Sequence, residues 1–204
     1  MGKRKAAVLS ALLLVWAGAI VGGLKALGEY ANAPGEVGQP MRTWPSNAVL
    51  KRPTDHKPTL VLFLHPKCSC SRASVGELDA LMARTSGKAH VYAVFVQPQG
   101  WSEAETIGKL WKQAASIPGV TPLLDHEGKE ARRFGALTSG HLFIFDNAGQ
   151  LAFTGGITTS RGHRGDNPGL QAAVQFVNSG VAPIKQSKVF GCSLFKAHEK
   201  LVNR

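Results

Sequence analysis

The sequence holds only three cysteines in 204 residues: Cys68, Cys70 and Cys192. That is too few for a scaffold stapled by disulfides, so these thiols need a specific account. Acidic side chains are also scarce, with 13 Asp and Glu against 24 Lys and Arg and a net charge of +11. The positive excess is dispersed over Lys3-Arg4-Lys5, Arg132-Arg133, Arg161 with Arg164, and a tail from Lys185 to Arg204. No basic helix or stripe interleaved with aromatics occurs, which argues against a nucleic-acid partner. Solvated surface, with weak attraction to anionic lipid or acidic partners, is what such a spread supports. There is no internal repeat, no Gly-x-Ser-x-Gly elbow, and no phosphate-binding or dinucleotide glycine pattern.

What is present begins with a membrane signal. Lys3-Arg4-Lys5 precedes Ala6 to Leu24, 19 residues without a charge. That length spans a bilayer as a helix and exceeds the usual apolar core of a cleaved leader. Ala31-Asn32-Ala33 resembles a cleavage site, but Pro34 would hinder the peptidase, so an uncleaved anchor is expected. The basic cluster then stays cytoplasmic and the remainder is expected on the extracytoplasmic side. The expected organisation is an anchor over 1–27, a Gly/Pro/Ala-rich tether over 28–58, a folded domain over 59–180, and a C-terminal extension over 181–204 carrying Cys192. A composition of 44% hydrophobic and 18% charged residues suffices for one core.

Within the domain, Leu60 to Leu64 is a continuous apolar run, as in a strand buried on both faces, and Pro66 stops it. A helix with Val75, Leu78, Leu81 and Met82 on one face follows, then a strand from His90 to Gln97. Ser102 and Glu105 form a capping box for a helix carrying Ile107, Leu110, Trp111 and Ala114. A short strand over Thr121 to Leu124 leads to a short helix over Glu127 to Phe134. His141 to Asp146 and Gln150 to Thr154 read as a hairpin around Asn147-Ala148-Gly149. Asn167-Pro168 opens a last helix that Gly180 ends. The order β-α-β-α-β-α-β-β-α predicts an α/β fold: a mixed central sheet flanked by helices, with early strands parallel and a late antiparallel edge.

Cys68 and Cys70 fall where the first strand meets the first helix. Free N–H groups and the positive end of the helix dipole favour a thiolate there, and Lys67 and Arg72 add positive charge. A depressed Cys68 pKa is therefore expected. A disulfide across a single intervening residue would close a tight ring, easier to reduce than a relaxed one. Such a pair suits transient exchange better than permanent stapling.

His65-Pro66-Lys67-Cys68-Ser69-Cys70-Ser71-Arg72-Ala73-Ser74 carries a resemblance to a known family. So do Phe134-Gly135 with Thr138-Ser139-Gly140, Gly155-Gly156-Ile157-Thr158 with Ser160-Arg161-Gly162-His163, and Val189-Phe190-Gly191-Cys192. Together, from about Trp44 to Phe195, they resemble the membrane-anchored bacterial thioredoxin-like proteins called RedB. The resemblance implies a thioredoxin-like fold and a redox role without fixing a substrate, and places the exported domain on the periplasmic side of a bacterial inner membrane as an expectation. Three departures from ordinary thioredoxins stand out. The cysteine spacing is Cys-x-Cys, Leu62 replaces a buried acid, and Thr138-Ser139-Gly140 replaces the segment with a cis-proline. The last change implies altered substrate docking and makes metal access conceivable.

Cys192 reads either as a third redox thiol, a third metal ligand, or an inert buried cysteine. The loop from Gly155 and Gly156 to Asn167, with Arg161, His163, Arg164 and Asp166, reads as a docking or thiolate-tuning element or as a self-bonded surface loop. His65 either tunes the thiolate, binds metal, or caps the strand end; His141 carries less weight for the same roles. Three functions compete. The first is thiol–disulfide exchange by Cys68 and Cys70, with Cys192 as a possible third redox cysteine and a protein or small-molecule thiol or disulfide as partner, requiring no cofactor. The second is a copper-binding module resembling Sco-type proteins, with ligands from Cys68, Cys70, His65 and His141. The third is peroxide reduction, against which the missing Thr-x-x-Cys pattern counts.

Overall fold

A computed structural model describes residues 2–39 and 41–195. The chain divides into two units, Met1–Ala33 and Pro34–Arg204. The last nine residues of the expected extension, with the end of its basic tail, lie outside the described residues.

The first unit is a single helix, α1, over Lys3–Asn32. Ala and Leu dominate it, and neither proline nor charge interrupts the run from Ala6 to Leu24, so helix propagation meets no obstacle. It ends where Ala33, preceding Pro34, turns extended (φ −74°, ψ 119°). The helix therefore extends beyond the anchor boundary expected at residue 27. None of its residues is buried. By length and composition it is sufficient to cross a membrane.

The second unit is built on a five-stranded sheet in the order β3-β2-β1-β4-β5. Its strands are β1 (Thr59–Leu64), β2 (His90–Gln97), β3 (Val120–His126), β4 (His141–Phe145) and β5 (Leu151–Gly155). All six β1 residues are buried, which follows from its unbroken apolar sequence and its central position. β1 runs parallel to β2 (Leu62 opposite Ala93) and antiparallel to β4 (Leu62 opposite Leu142). β2 and β3 are parallel, and β4 and β5 form the antiparallel hairpin. The Asp146 carboxylate accepts the N–H groups of Ala148 and Gln150 to shape that hairpin turn.

The helices are α2 (Ser69–Thr85), α3 (Glu103–Thr106), α4 (Lys109–Ala115), α5 (Lys129–Phe134) and α6 (Pro168–Ser179). A parallel β-α-β-α-β half, a crossing helix, a hairpin and a closing helix make this a thioredoxin-like fold, as expected. The α3–α4 pair corrects the single helix expected behind Ser102. The Ser102–Glu105 capping box is present, but Ile107 (ψ 59°) and Gly108 (ψ −156°) leave the helical region and split the element. Ile107 consequently points outward, 37% exposed, instead of joining Leu110 and Ala114 in the core.

One face of the sheet packs Leu62, Leu64, Phe95 and Ile144 against Val75, Leu78 and Leu81 of α2, Leu110 and Ala114 of α4, and Leu170 and Phe176 of α6. The other face is aromatic, with Phe63, Phe143 and Phe145 around Phe134 of α5, joined by Leu194 and Phe195 from the C-terminal segment. Trp44 closes this face, its ring edge-on to Phe134 (5.2 Å) and Phe145 (5.1 Å). Residues expected as a loose tether are thus part of the domain. The Gly35, Gly38 and Trp44 N–H groups donate to the carbonyls of Val189, Gly135 and Gly149. Glu130 accepts the N–H groups of Val49 and Leu50. A tether composition does not register this, because one tryptophan and a few backbone bonds suffice to hold an otherwise irregular chain.

Candidate functional site

β1 ends at Leu64, and the turn His65-Pro66-Lys67 delivers Cys68 to the N-cap of α2 in an extended conformation (φ −99°, ψ 131°). Two backbone bonds fix the turn, Cys68 N–H to His65 O (3.3 Å) and Arg72 N–H to Cys68 O (3.3 Å). Cys70 lies in the first helical turn, and both cysteines are buried.

Cys192 reaches the same place from the other end of the domain. Its segment pairs antiparallel with the Thr138–Ser139–Gly140 loop: Thr138 bridges Ser193, Ser139 N–H donates to Cys192 O (2.8 Å), and Leu194 N–H donates to Leu137 O (2.9 Å). Gly191 permits this approach, because a Cβ there would overlap the Ser139 carbonyl. The Arg161 guanidinium donates to the Gly191 carbonyl and holds the turn from outside. The result is a Cys68 Sγ to Cys192 Sγ separation of 3.0 Å. The sulfurs of Cys68, Cys70 and Cys192 all lie within 4.8 Å of one another.

Two hydroxyls stitch the loop to the helix start. Ser71 Oγ and Ser139 Oγ are 2.5 Å apart, and both accept the His65 backbone N–H (3.1 and 3.0 Å). Ser71 also donates to the His65 carbonyl (2.8 Å). The Gly140 N–H then donates to Phe63 O (2.8 Å), with φ at 88°. The Thr-Ser-Gly segment therefore anchors to β1, to α2 and to the Cys192 strand together.

The three thiols have unequal acidity. Burial opposes ionisation of Cys68, but the Cys192 thiol and the N–H groups of Ser71, Cys192 and Cys70 stabilise its thiolate more, and its pKa falls below the ordinary thiol value. Burial, then the negative charge of Cys68, raises Cys70. Burial and its role as donor to Cys68 push Cys192 up to about 12. Cys68 is therefore the most acidic of the three thiols, and Cys70 and Cys192 are the two that burial keeps protonated.

The two histidines do not join the sulfurs. His65 uses Nδ1 to accept the Lys67 N–H (3.3 Å) and sets its ring edge-on to Trp101. Burial, then Lys67, lowers its pKa and favours the neutral ring. His141 is 2% exposed, bonds Thr154 Oγ1 through Nε2 (2.8 Å) and stacks on Phe143. Burial lowers its pKa to about 3. Among the described residues the cluster able to ligate a metal is Cys68, Cys70 and Cys192, without His65 or His141.

The Gly155–Asn167 loop divides by role. Gly155 and Gly156 lie against the C-terminal segment, where Ser187 donates to Gly156 O (2.8 Å). Arg161 reaches the Cys192 turn, whereas His163 is exposed and bonds the Arg161 carbonyl within its own turn. Arg164 crosses α2 at Gly76, donating to the Gly76 carbonyl (2.9 Å), and its Nε lies 3.4 Å from the buried Glu77 carboxylate. Glu77 also accepts the Gly165 N–H (2.8 Å). Sequence reasoning missed this clamp and the Ser71–Ser139 pair. A glycine in mid-helix at Gly76 is the signal that something packs onto α2 there.

No family model matches the chain, and no curated protein matches it. Solved structures do. An uncharacterized conserved protein from Geobacillus kaustophilus superposes with a TM-score of 0.56 at 20% identity, covering 80% of this chain and 92% of that one. A hypothetical protein from Sinorhizobium meliloti gives 0.57 at 19% identity, covering 81% and 96%. An exposed lipoprotein thioredoxin from Streptococcus pneumoniae is more distant, at 0.45 and 23% identity, covering 61% and 86%. At these identities the likeness concerns the fold.

Proposed function

We propose that the chain is a membrane-tethered thiol–disulfide redox protein of RedB type, working on the extracytoplasmic side. The observation that carries this reading is the 3.0 Å approach of Cys192 Sγ to Cys68 Sγ, with the Cys68 thiolate favoured. A disulfide needs about 2.05 Å between sulfurs, so closing the bond takes a shift of about 1 Å. Cys68 attacks a partner disulfide, one partner thiol leaves, and Cys192 then displaces the second to form a Cys68–Cys192 bond. Cys70 stands ready as a third thiol for exchange within the cluster. Arg161 supports the site by holding the Cys192 turn, and Thr138, Ser139 and Gly140 support it by pairing with that strand.

The test is oxidation of the full-length chain followed by differential alkylation and mass spectrometry. The expected product links Cys68 to Cys192, and Cys68→Ser abolishes exchange. Full exchange activity in Cys68→Ser would overturn the assignment. Lys3-Arg4-Lys5 before the apolar run supports the sidedness. Labelling of Cys68 by a membrane-impermeant maleimide in intact spheroplasts checks it.

A second reading has its own support in the grouping of three sulfurs within 4.8 Å, a soft donor set suited to Cu(I). Its ligands are Cys68, Cys70 and Cys192. Metal analysis of the reduced chain after copper loading decides it: a stoichiometric ion lost in Cys192→Ser supports the site, and none removes it.

A further inference from the structure

The thiol cluster opens to solvent through a groove of about 610 Å³ whose walls include Lys67, Cys68, Arg72, Glu105 and Lys109. That volume falls in the range of small-ligand sites, roughly 300–1,000 Å³. Cys68 lines the groove, whereas Cys70 and Cys192 do not.

The groove is cationic. Glu105, its one acid, is engaged by the Ser102 N–H (2.8 Å) and hydroxyl (2.9 Å) in the capping box. Lys67 is poised over the Trp101 ring at 4.3 Å. Arg72 and Lys109 are exposed, and no ion pair among the described residues engages either. The positive end of the 17-residue α2 points the same way.

Beside the sulfurs, the Leu137–Gly140 stretch already spends its backbone groups on other parts of the chain. Ser139 N–H is bonded to Cys192 O, Leu137 O to Leu194 N–H, and Gly140 N–H to Phe63 O. A polypeptide that docks by strand addition needs those groups free. The chain's own Cys192 segment has taken two of them and β1 the third.

We infer that the groove admits a small disulfide bearing carboxylates, and that Cys68 is the sulfur it meets. This deepens the redox reading and rests on it. The Cys68 thiolate attacks one sulfur of the disulfide, forming a mixed disulfide and releasing one small thiolate, which takes up a proton. Cys192 gives up its proton and attacks the Cys68 sulfur from behind the groove, releasing the second small thiol. The protein dithiol is oxidised by two electrons and the small disulfide is reduced to two thiols.

The experiment measures second-order oxidation rates of the reduced full-length chain in non-ionic detergent. The probes are oxidised glutathione (anionic), hydroxyethyl disulfide (neutral) and cystamine (cationic), each divided by its rate with a simple free thiol. The expected order is anionic, neutral, cationic, with about tenfold between the extremes at low salt, the low end of what charge complementarity supplies. High salt compresses the spread by screening. Arg72→Glu with Lys109→Glu inverts the order, and Lys109→Gln alone narrows it. These are ratios between probes, so a changed Cys68 thiolate fraction cancels. A flat or inverted order in the unaltered chain, with all three probes still oxidising Cys68, overturns the groove inference and leaves the redox reading standing. No reaction with any of the three probes also overturns the groove inference, whereas the redox reading falls only if oxidation in addition yields no Cys68–Cys192 link. An acidic peptide disulfide that outpaces oxidised glutathione also overturns the inference, because it makes a polypeptide the substrate.

Discussion

The two faces of the sheet are closed in different ways. One is covered by α2, α4 and α6, whose apolar residues recur at helical spacing and meet Leu62, Leu64 and Phe95. The other is covered by the short α5 and by irregular chain from both ends of the domain, with Trp44 on one side and Leu194 and Phe195 on the other. The helical face supplies the end of α2 on which Cys68 sits. The irregular face supplies Cys192. The site exists only where the two meet, so the stability of the irregular cover bears directly on chemistry.

Substitutions can break or sharpen this contrast. Phe134→Ala removes a fully buried ring that touches Trp44, Phe63, Phe143 and Phe145. It is expected to cost about 4 kcal/mol, against about 3 kcal/mol for Leu78→Ala on the helical face, read by urea unfolding. A much smaller loss at Phe134 would mean that the irregular face is a passive cover. Trp44→Ala, at a partly buried position, is expected to cost about 2 kcal/mol. Its amide exchange should rise at Gly35, Gly38 and position 44 while β1 stays protected.

Gly191→Ala forces a methyl onto the Ser139 carbonyl and should cost about 1–2 kcal/mol. Its sharper readout is a reduced yield of the Cys68–Cys192 link on oxidation, because the strand carrying Cys192 must lift. The smallest effect on stability is expected from Cys192→Ala, within about 1 kcal/mol. That variant removes the hydrogen bond to the Cys68 thiolate, so the midpoint of Cys68 alkylation against pH moves up toward the free-thiol value. The sign follows from linkage. A depressed Cys68 pKa adds stability above the unfolded thiol value, lost as pH falls through the folded one. An unchanged midpoint would show that the backbone N–H groups alone hold the thiolate.

Much of the frame was legible in local pattern. The unbroken apolar run of β1, the Ser102–Glu105 box, the Asn147-Ala148-Gly149 turn and the Asn167-Pro168 start of α6 are each decided by residues within a few positions of one another. The break at Ile107–Gly108 was not, since a lone glycine inside an apolar period reads as tolerated helix. The residues of 34–53 read as tether because glycine and proline mask the contribution of Trp44, whose partners Phe134 and Phe145 lie far along the chain.

Sequence alone determined the apolar helix α1, the alternation of strands and helices, and a cysteine pair at a strand–helix junction, because these depend on period, capping and neighbouring residues. Tertiary structure decided that Cys192, 124 residues from Cys68, is the thiol 3.0 Å away, and that neither His65 nor His141 joins the cluster. The reason is physical: which thiol meets Cys68 depends on a strand pairing between the Thr138–Gly140 loop and the C-terminal segment. That pairing is held by Ser71, Ser139 and Gly191, and no local periodicity encodes it.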